Sequence, residues 1–234
     1  MQLLPHIDYA LIRKHPKILV GYSDITALHL AIHRHAGLVT FHGPVGMSTL
    51  SDYSTEHLLN VLMRPEDDYV IPMALANSRQ AETDPPHFQH YALRTVVAGQ
   101  ATGRLMGGNL SLVSALAGTP YAADVRGALL FLEEVNEEPY RIDRMMMQLN
   151  LNQPFRSAAG IMLGIFEGCG PAADGSPSLS LDETTDQHLR PLTVPSVTGW
   201  SFGHIRHQFT LPLGIRARLD TERQTVTLLE PAVR

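Results

Sequence analysis

Apolar positions recur at helical spacing over residues 7–15, which predicts a short amphipathic helix that Pro16 ends. The pattern then closes up into an almost unbroken apolar run, predicting a buried strand over 17–22. From 24 to 35 the helical period returns, with Ile25, Leu28, Ala31 and Ile32 on one side and Gly37 placed as a C-cap. Residues 39–41 predict a second short strand that runs into His42-Gly43-Pro44. Residues 54–64 predict a helix with Leu58, Leu59, Val61 and Leu62 inward and Ser54 or Thr55 as its cap. Strand, helix, strand is the order of a parallel α/β sheet.

Between 65 and 100 the pattern fades. Arg64-Pro65-Glu66-Asp67-Asp68 and Glu82-Thr83-Asp84-Pro85-Pro86 are polar and proline-bearing, which reads as a connection between domains with a few extended pieces. A second region starts near Ala101. It predicts an apolar helix over 111–117, a strand over 127–134, a helix over 139–149 and a strand over 160–166. A small, polar loop follows over 170–187, then a strand over 194–198. A hairpin closes the chain, with strands over 215–219 and 225–229 around Asp220-Thr221-Glu222-Arg223. The expected division is therefore 1–75, a connection over 76–100, and 101–234.

Composition narrows the classes. Of 234 residues, 44% are hydrophobic and 18% charged, enough for a packed core. The formal charge of −5 argues against nucleic acid or an anionic membrane as partner. A single cysteine, Cys169, excludes an internal disulfide and fits a reducing compartment. No apolar run reaches the length of a membrane span, and the first residues lack a signal-peptide pattern, so the expected location is the cytoplasm. Twelve histidines raise the question of a metal. His29 and His33 share a helix face, but Leu30 stands where the zinc-protease motif needs Glu, and Cys169 has no partner at ligand spacing. No metal and no cofactor are expected.

The turn at Ser23 offers chemistry. A buried strand ends, Gly21 and Tyr22 intervene, and a helix begins, so the hydroxyl points out of a sharp strand-to-helix turn beside free helix amides. The same position also suits a serine, or Asp24, that only caps the helix. A nucleophilic serine needs a base and an orienting acid. Glu133 and Glu134 end an apolar strand, where at least one must face inward or both are solvated. His204 follows a small-residue loop, Gly199-Trp200-Ser201-Phe202-Gly203. The α/β-hydrolases share this chain order but place Gly two residues after the serine, where this chain has Ile25.

Several motifs occur together in one order: Gly21-Tyr22-Ser23-Asp24-Ile25-Thr26-Ala27-Leu28, Phe41-His42-Gly43-Pro44, Gly107-Gly108-Asn109-Leu110, Gly118-Thr119-Pro120-Tyr121, Phe131-Leu132-Glu133-Glu134 with Pro139-Tyr140-Arg141-Ile142-Asp143-Arg144, and Gly203-His204 before Leu211-Pro212-Leu213-Gly214. In these the chain resembles the serine LD-carboxypeptidases, which include muramoyltetrapeptide carboxypeptidase and the microcin-immunity peptidases. The resemblance implies an α/β fold: a partial Rossmann-like N-terminal domain carrying the nucleophile elbow, and a C-terminal α/β domain with mixed β-structure. It implies Ser23 as nucleophile, Glu133 as orienting acid, His204 as general base and the Asp24 amide as an oxyanion donor. It further implies a cytoplasmic homodimer without metal that releases the terminal D-alanine of murein tetrapeptides during cell-wall recycling. A carboxypeptidase also needs a clamp for the substrate carboxylate, and Arg104, Arg141 and Arg144 lie in motif regions. The family has a longer N-terminus with a glycine-rich segment just before the point where Met1 falls, so a truncated or mis-started frame is the expectation. A microcin-type acyl-peptide hydrolase and a catalytically impaired murein-peptide-binding protein are the alternative readings.

Overall fold

The computed structural model describes residues 1–84, 88–172 and 177–233. In chain order its elements are α1 (Tyr9–Lys14), β1 (Val20–Gly21), α2 (Thr26–Ala36), β2 (Thr40–His42), α3 (Asp52–Leu62), β3 (Tyr69–Pro72), α4 (Leu75–Thr83), β4 (Arg94–Val97), β5 (Gln100–Asn109), α5 (Leu110–Ala115), β6 (Ala128–Glu133), α6 (Pro139–Asn152), β7 (Gly160–Gly164), α7 (Leu181–Leu189), β8 (Ser196–Trp200), β9 (Leu211–Leu213), β10 (Arg216–Asp220) and β11 (Thr225–Leu228). The fold is mixed α/β with two sheets. No helix among the described residues is long and apolar enough to cross a membrane.

The large sheet has the order β3-β11-β10-β5-β6-β7-β8-β4. Its centre, β5 to β8, is parallel, and antiparallel strands flank it on both sides. β6 reads Ala-Leu-Leu-Phe-Leu-Glu without alternation because every one of its residues is buried, as a strand covered on both faces must be. The small sheet, β1-β2-β9, pairs β1 parallel and β9 antiparallel to β2. Each sheet borrows a strand from the far end of the chain. β9 completes the sheet that carries the N-terminal residues, and β3 pairs with β11 at the edge of the large one.

Four readings of the pattern change. The strand predicted over 17–22 keeps only two residues, because Lys17 and Ile18 remain in solvent. The third helix starts at Asp52, and its cap is Ser51, whose hydroxyl accepts from the Ser54 amide at 3.1 Å; Ser54 is buried elsewhere. The 65–100 stretch holds both outer strands of the large sheet and α4, whose Leu75–Thr83 sequence carries too few apolar residues to show a period. The loop expected over 170–187 gives way to α7 from Leu181. Its start is set by a reciprocal cap in which the Ser180 hydroxyl accepts from the Glu183 amide and the Glu183 carboxylate accepts from the Ser180 amide. Pro85 and Pro86 of the second polar motif lie outside the described residues.

Candidate active site

Ser23 follows β1 and opens a short 3-10 turn, Ser23–Ile25, that leads into α2. Its φ is +59°, a left-handed conformation that a non-glycine residue holds at a cost of about 1–3 kcal/mol. The turn is tight because Gly21 lets the residue at position 25 approach. A Cβ at Gly21 would lie 2.9 Å from the Ile25 side chain. The small residue that permits close packing therefore stands two positions before the serine rather than two after it, and Ile25 is no obstacle to a nucleophile turn. The amide of Asp24 lies in the first turn, where helical pairing supplies no acceptor.

Glu133 and Glu134 end β6, and both are buried, so neither is a solvated strand end. They face different tasks. The Glu133 carboxylate accepts a hydrogen bond from Nδ1 of His204 at 2.7 Å. Burial pushes the Glu133 carboxyl up from its ordinary value, and the imidazole pulls it the other way. Glu134 instead accepts from Nδ2 of Asn109, from the amide and hydroxyl of Ser111, and from the Val135 amide, at 2.7 to 3.0 Å. It fixes the junction of β5 with α5.

His204 reaches Glu133 because Gly203 precedes it. Gly203 has φ +124°, and a Cβ there would lie 2.7 Å from the Ile165 carbonyl and 3.2 Å from Cβ of Glu133. With Nδ1–H given to a carboxylate, Nε2 is the nitrogen left to take a proton. The Tyr22 ring lies edge-on to the imidazole, centroids 4.8 Å apart. Ser23 is the next residue, so the turn that carries it lies against the imidazole. Among the described residues Ser23 makes no hydrogen bond to His204.

The Ser23 turn is also tied to the large sheet. Gly108, φ +138°, leaves room for Thr26, which would stand 2.5 Å from a Cβ there, and the Thr26 hydroxyl accepts from the Asn109 amide at 3.0 Å. Beneath the turn, Nε2 of His29 donates to the Gly21 carbonyl at 2.9 Å. His42 is buried among Tyr22, Phe131 and Phe202, and neither ring nitrogen has a hydrogen-bond partner among the described residues. Burial drives His29 down to about 4 and His42 to about 3. His29 and His33 serve separate backbone carbonyls, Gly21 and Leu38. The Cys169 thiol is buried and pushed up to about 12, which makes it a poor nucleophile.

The three motif arginines do not meet this corner. Arg104 is midway along β5, where it donates to the Gly214 carbonyl and lies 3.7 Å from Glu230. Arg141 pairs with Tyr140 and Glu137, and Arg144 is exposed on α6. The arginine that lines the cavity beside His204 is Arg206, with Tyr22, Pro44, Leu50 and Gln208 around it; the cavity measures about 420 Å³. Sequence reading missed it. The available signal was its place two residues after His204.

Comparison with known proteins adds an independent line. Residues 102–219 match the model of the LD-carboxypeptidase C-terminal domain, and residues 1–43 match that of the LD-carboxypeptidase N-terminal domain. A relative named probable murein peptide carboxypeptidase, from Bacillus subtilis strain 168, is 40% identical over 225 residues, which cover 95% of this chain and 66% of the relative. The chain thus spans a little under two thirds of that relative's length. Among solved structures, the microcin C7 self-immunity protein in its wild-type apo state superposes with a TM-score of 0.82 at 26% identity, covering 99% of this chain and 73% of that one. Muramoyltetrapeptide carboxypeptidase from Oxalobacter formigenes superposes with a TM-score of 0.78 at 28% identity, covering 97% and 72%.

Proposed function

The chain belongs to the LD-carboxypeptidase family, and from that premise we propose that it is a serine carboxypeptidase that releases the terminal D-alanine of murein tetrapeptides, with Ser23, Glu133 and His204 as its triad. The observation that carries this reading is the buried Glu133 carboxylate holding Nδ1–H of His204 beside a serine in a left-handed turn. In this mechanism Nε2 of His204 takes the proton of the Ser23 hydroxyl as its oxygen attacks the scissile carbonyl. The oxyanion rests on amides at the start of the helix, that of Asp24 among them. The imidazolium, steadied by Glu133, returns the proton to the leaving amine. Water then attacks the acyl-enzyme with His204 again as base, and Ser23 is regenerated.

The division at 76–100 is likewise our proposal, as are the homodimer and the cytoplasmic location that the family suggests. The small sheet would carry the nucleophile, and the large sheet would carry acid and base. The test is a covalent serine probe on the purified protein, alongside release of free D-alanine from a murein tetrapeptide. Labelling should vanish in Ser23→Ala and fall strongly in His204→Ala. Removing a triad nucleophile should cost about 10³- to 10⁶-fold in kcat. Labelling indifferent to Ser23→Ala would sink the assignment, and peptide binding without any release would argue for a binding protein instead.

A further inference from the structure

Residues 205–208 are held with unusual firmness for a surface loop. The Arg206 carbonyl accepts from the Ser54 hydroxyl at 2.9 Å, and the Gln208 amide donates back to the same hydroxyl at 3.1 Å. Ser54 is fully buried at the start of α3. The His207 carbonyl accepts from Nδ2 of buried Asn77 at 2.9 Å, and the Ile205 carbonyl accepts from the Gln208 side chain at 3.2 Å. Two separate helices, α3 and α4, thus pin the backbone at and just after one long cation. Yet the Arg206 side chain is exposed and, among the described residues, has neither an ion pair nor a hydrogen bond. A rigid backbone under an unused guanidinium is what a preorganised anion clamp requires, because little ordering remains to be done when the anion arrives.

The surroundings define the anion. The cavity that Arg206 lines also contains His204 and Tyr22, so its occupant lies within reach of the reacting corner. No acidic residue lines it, and Arg206 is its one permanent charge. About 420 Å³ is room for a single amino-acid residue. We infer that this cavity receives the residue released by the reaction and that Arg206 pairs with its free α-carboxylate. The inference rests on the carboxypeptidase reading and makes Arg206 the specificity-determining residue that restricts cleavage to a chain end. Arginine suits the task because its fork can hold both carboxylate oxygens at once, whereas a lysine offers a point charge.

Binding to the Ser23→Ala protein tests this without needing turnover. The probes are a murein tetrapeptide with a free C-terminal carboxylate and the same peptide ending in a carboxamide, titrated by calorimetry. The acid should bind about ten- to a hundredfold more tightly than the amide, the discrimination expected of a charge-assisted pair. Adding Arg206→Gln should bring the ratio close to one, and Arg206→Lys should keep part of it. A ratio untouched by Arg206→Gln, equal weakening of acid and amide, or no acid–amide difference in the parent protein would each overturn the inference. Its failure is separable from that of the catalytic reading. D-alanine release by the unmutated protein together with an Arg206-independent ratio removes the clamp alone. An Arg206-dependent ratio without any release removes the hydrolase and leaves the pocket standing.

Discussion

The large sheet presents Glu133 from a strand whose six residues are all buried, whereas the small sheet presents Ser23 from a strand two residues long. The first scaffold is rigid through its own depth, with two parallel neighbours and close packing of Leu129, Leu130, Phe131 and Leu132. The second owes its position to others. β9 must come from beyond residue 210 to complete its sheet, Thr26 must meet Gly108 and Asn109, and Tyr22 must meet His204. Glu133 and His204 are therefore held by one sheet, while the position of Ser23 is a property of the contact between two.

The comparison is sharpest at the two adjacent carboxylates. In Glu133→Gln the amide can donate to Nδ1 and hold the wrong tautomer, with the proton on Nε2 where the base is needed. The expected loss in kcat is about 10³- to 10⁴-fold, with little loss of stability because a buried charge is removed. Glu134→Gln should do the reverse. One oxygen cannot replace two carboxylate oxygens that accept four hydrogen bonds, so unfolding free energy should drop by about 1–3 kcal/mol while kcat falls far less. Equal effects of the two substitutions in a denaturant titration and a kinetic assay would erase the distinction between chemistry and joint.

The contact between the sheets can be loosened at Thr26. Thr26→Val keeps the shape but removes the acceptor of the Asn109 amide, leaving a buried N–H unpaired at a cost of about 1–3 kcal/mol. If the nucleophile is positioned from outside its own sheet, the rate of serine-probe labelling should fall about tenfold as well, since misplacement by a fraction of an ångström is expensive. Stability lost with labelling unchanged would mean that β1 and α2 hold Ser23 by themselves.

These differences also explain what the chain disclosed before its fold was known. The parallel centre was legible, since strands buried on both faces read as apolar runs, as at 127–134 and 160–166. The closing hairpin was legible from its four-residue polar turn. Helix α7 was not, because Leu-Asp-Glu-Thr-Thr-Asp-Gln-His-Leu shows almost no apolar stripe, and only the Ser180–Glu183 cap marks it. The exchanged strands, β9 and β3, pair with partners some 150 or more residues away, which no local pattern records. At the site, ordered motifs pointed to Ser23, Glu133 and His204. The packing that joins them, Gly108 against Thr26 and Gly203 against Glu133, and the cavity arginine depend on distances that only the folded chain has.

The two regions should also answer acid with opposite signs. His29 and His42 lie under the Ser23 turn, and burial lowers them to about 4 and about 3, against 6.5 for an exposed histidine. Between pH 6.5 and those values the unfolded chain takes up protons that the folded chain refuses. Stability from these two groups is complete above pH 6.5 and is lost as pH falls. Each should remove about 1 kcal/mol between pH 6 and pH 5. Glu133 works the other way. Its carboxyl is raised by burial, so the folded chain holds a proton where the unfolded chain has released it, and acid favours the fold at that site. Urea midpoints measured from pH 7 to pH 5 should therefore fall with acid, and His29→Gln, which keeps a donor for the Gly21 carbonyl, should flatten the fall by about one histidine's share. Glu133→Gln should steepen it, because it deletes the opposing contribution. A slope that His29→Gln leaves unchanged would show that the turn beneath Ser23 opens to water before the large sheet does, which would make the small sheet a separately melting unit.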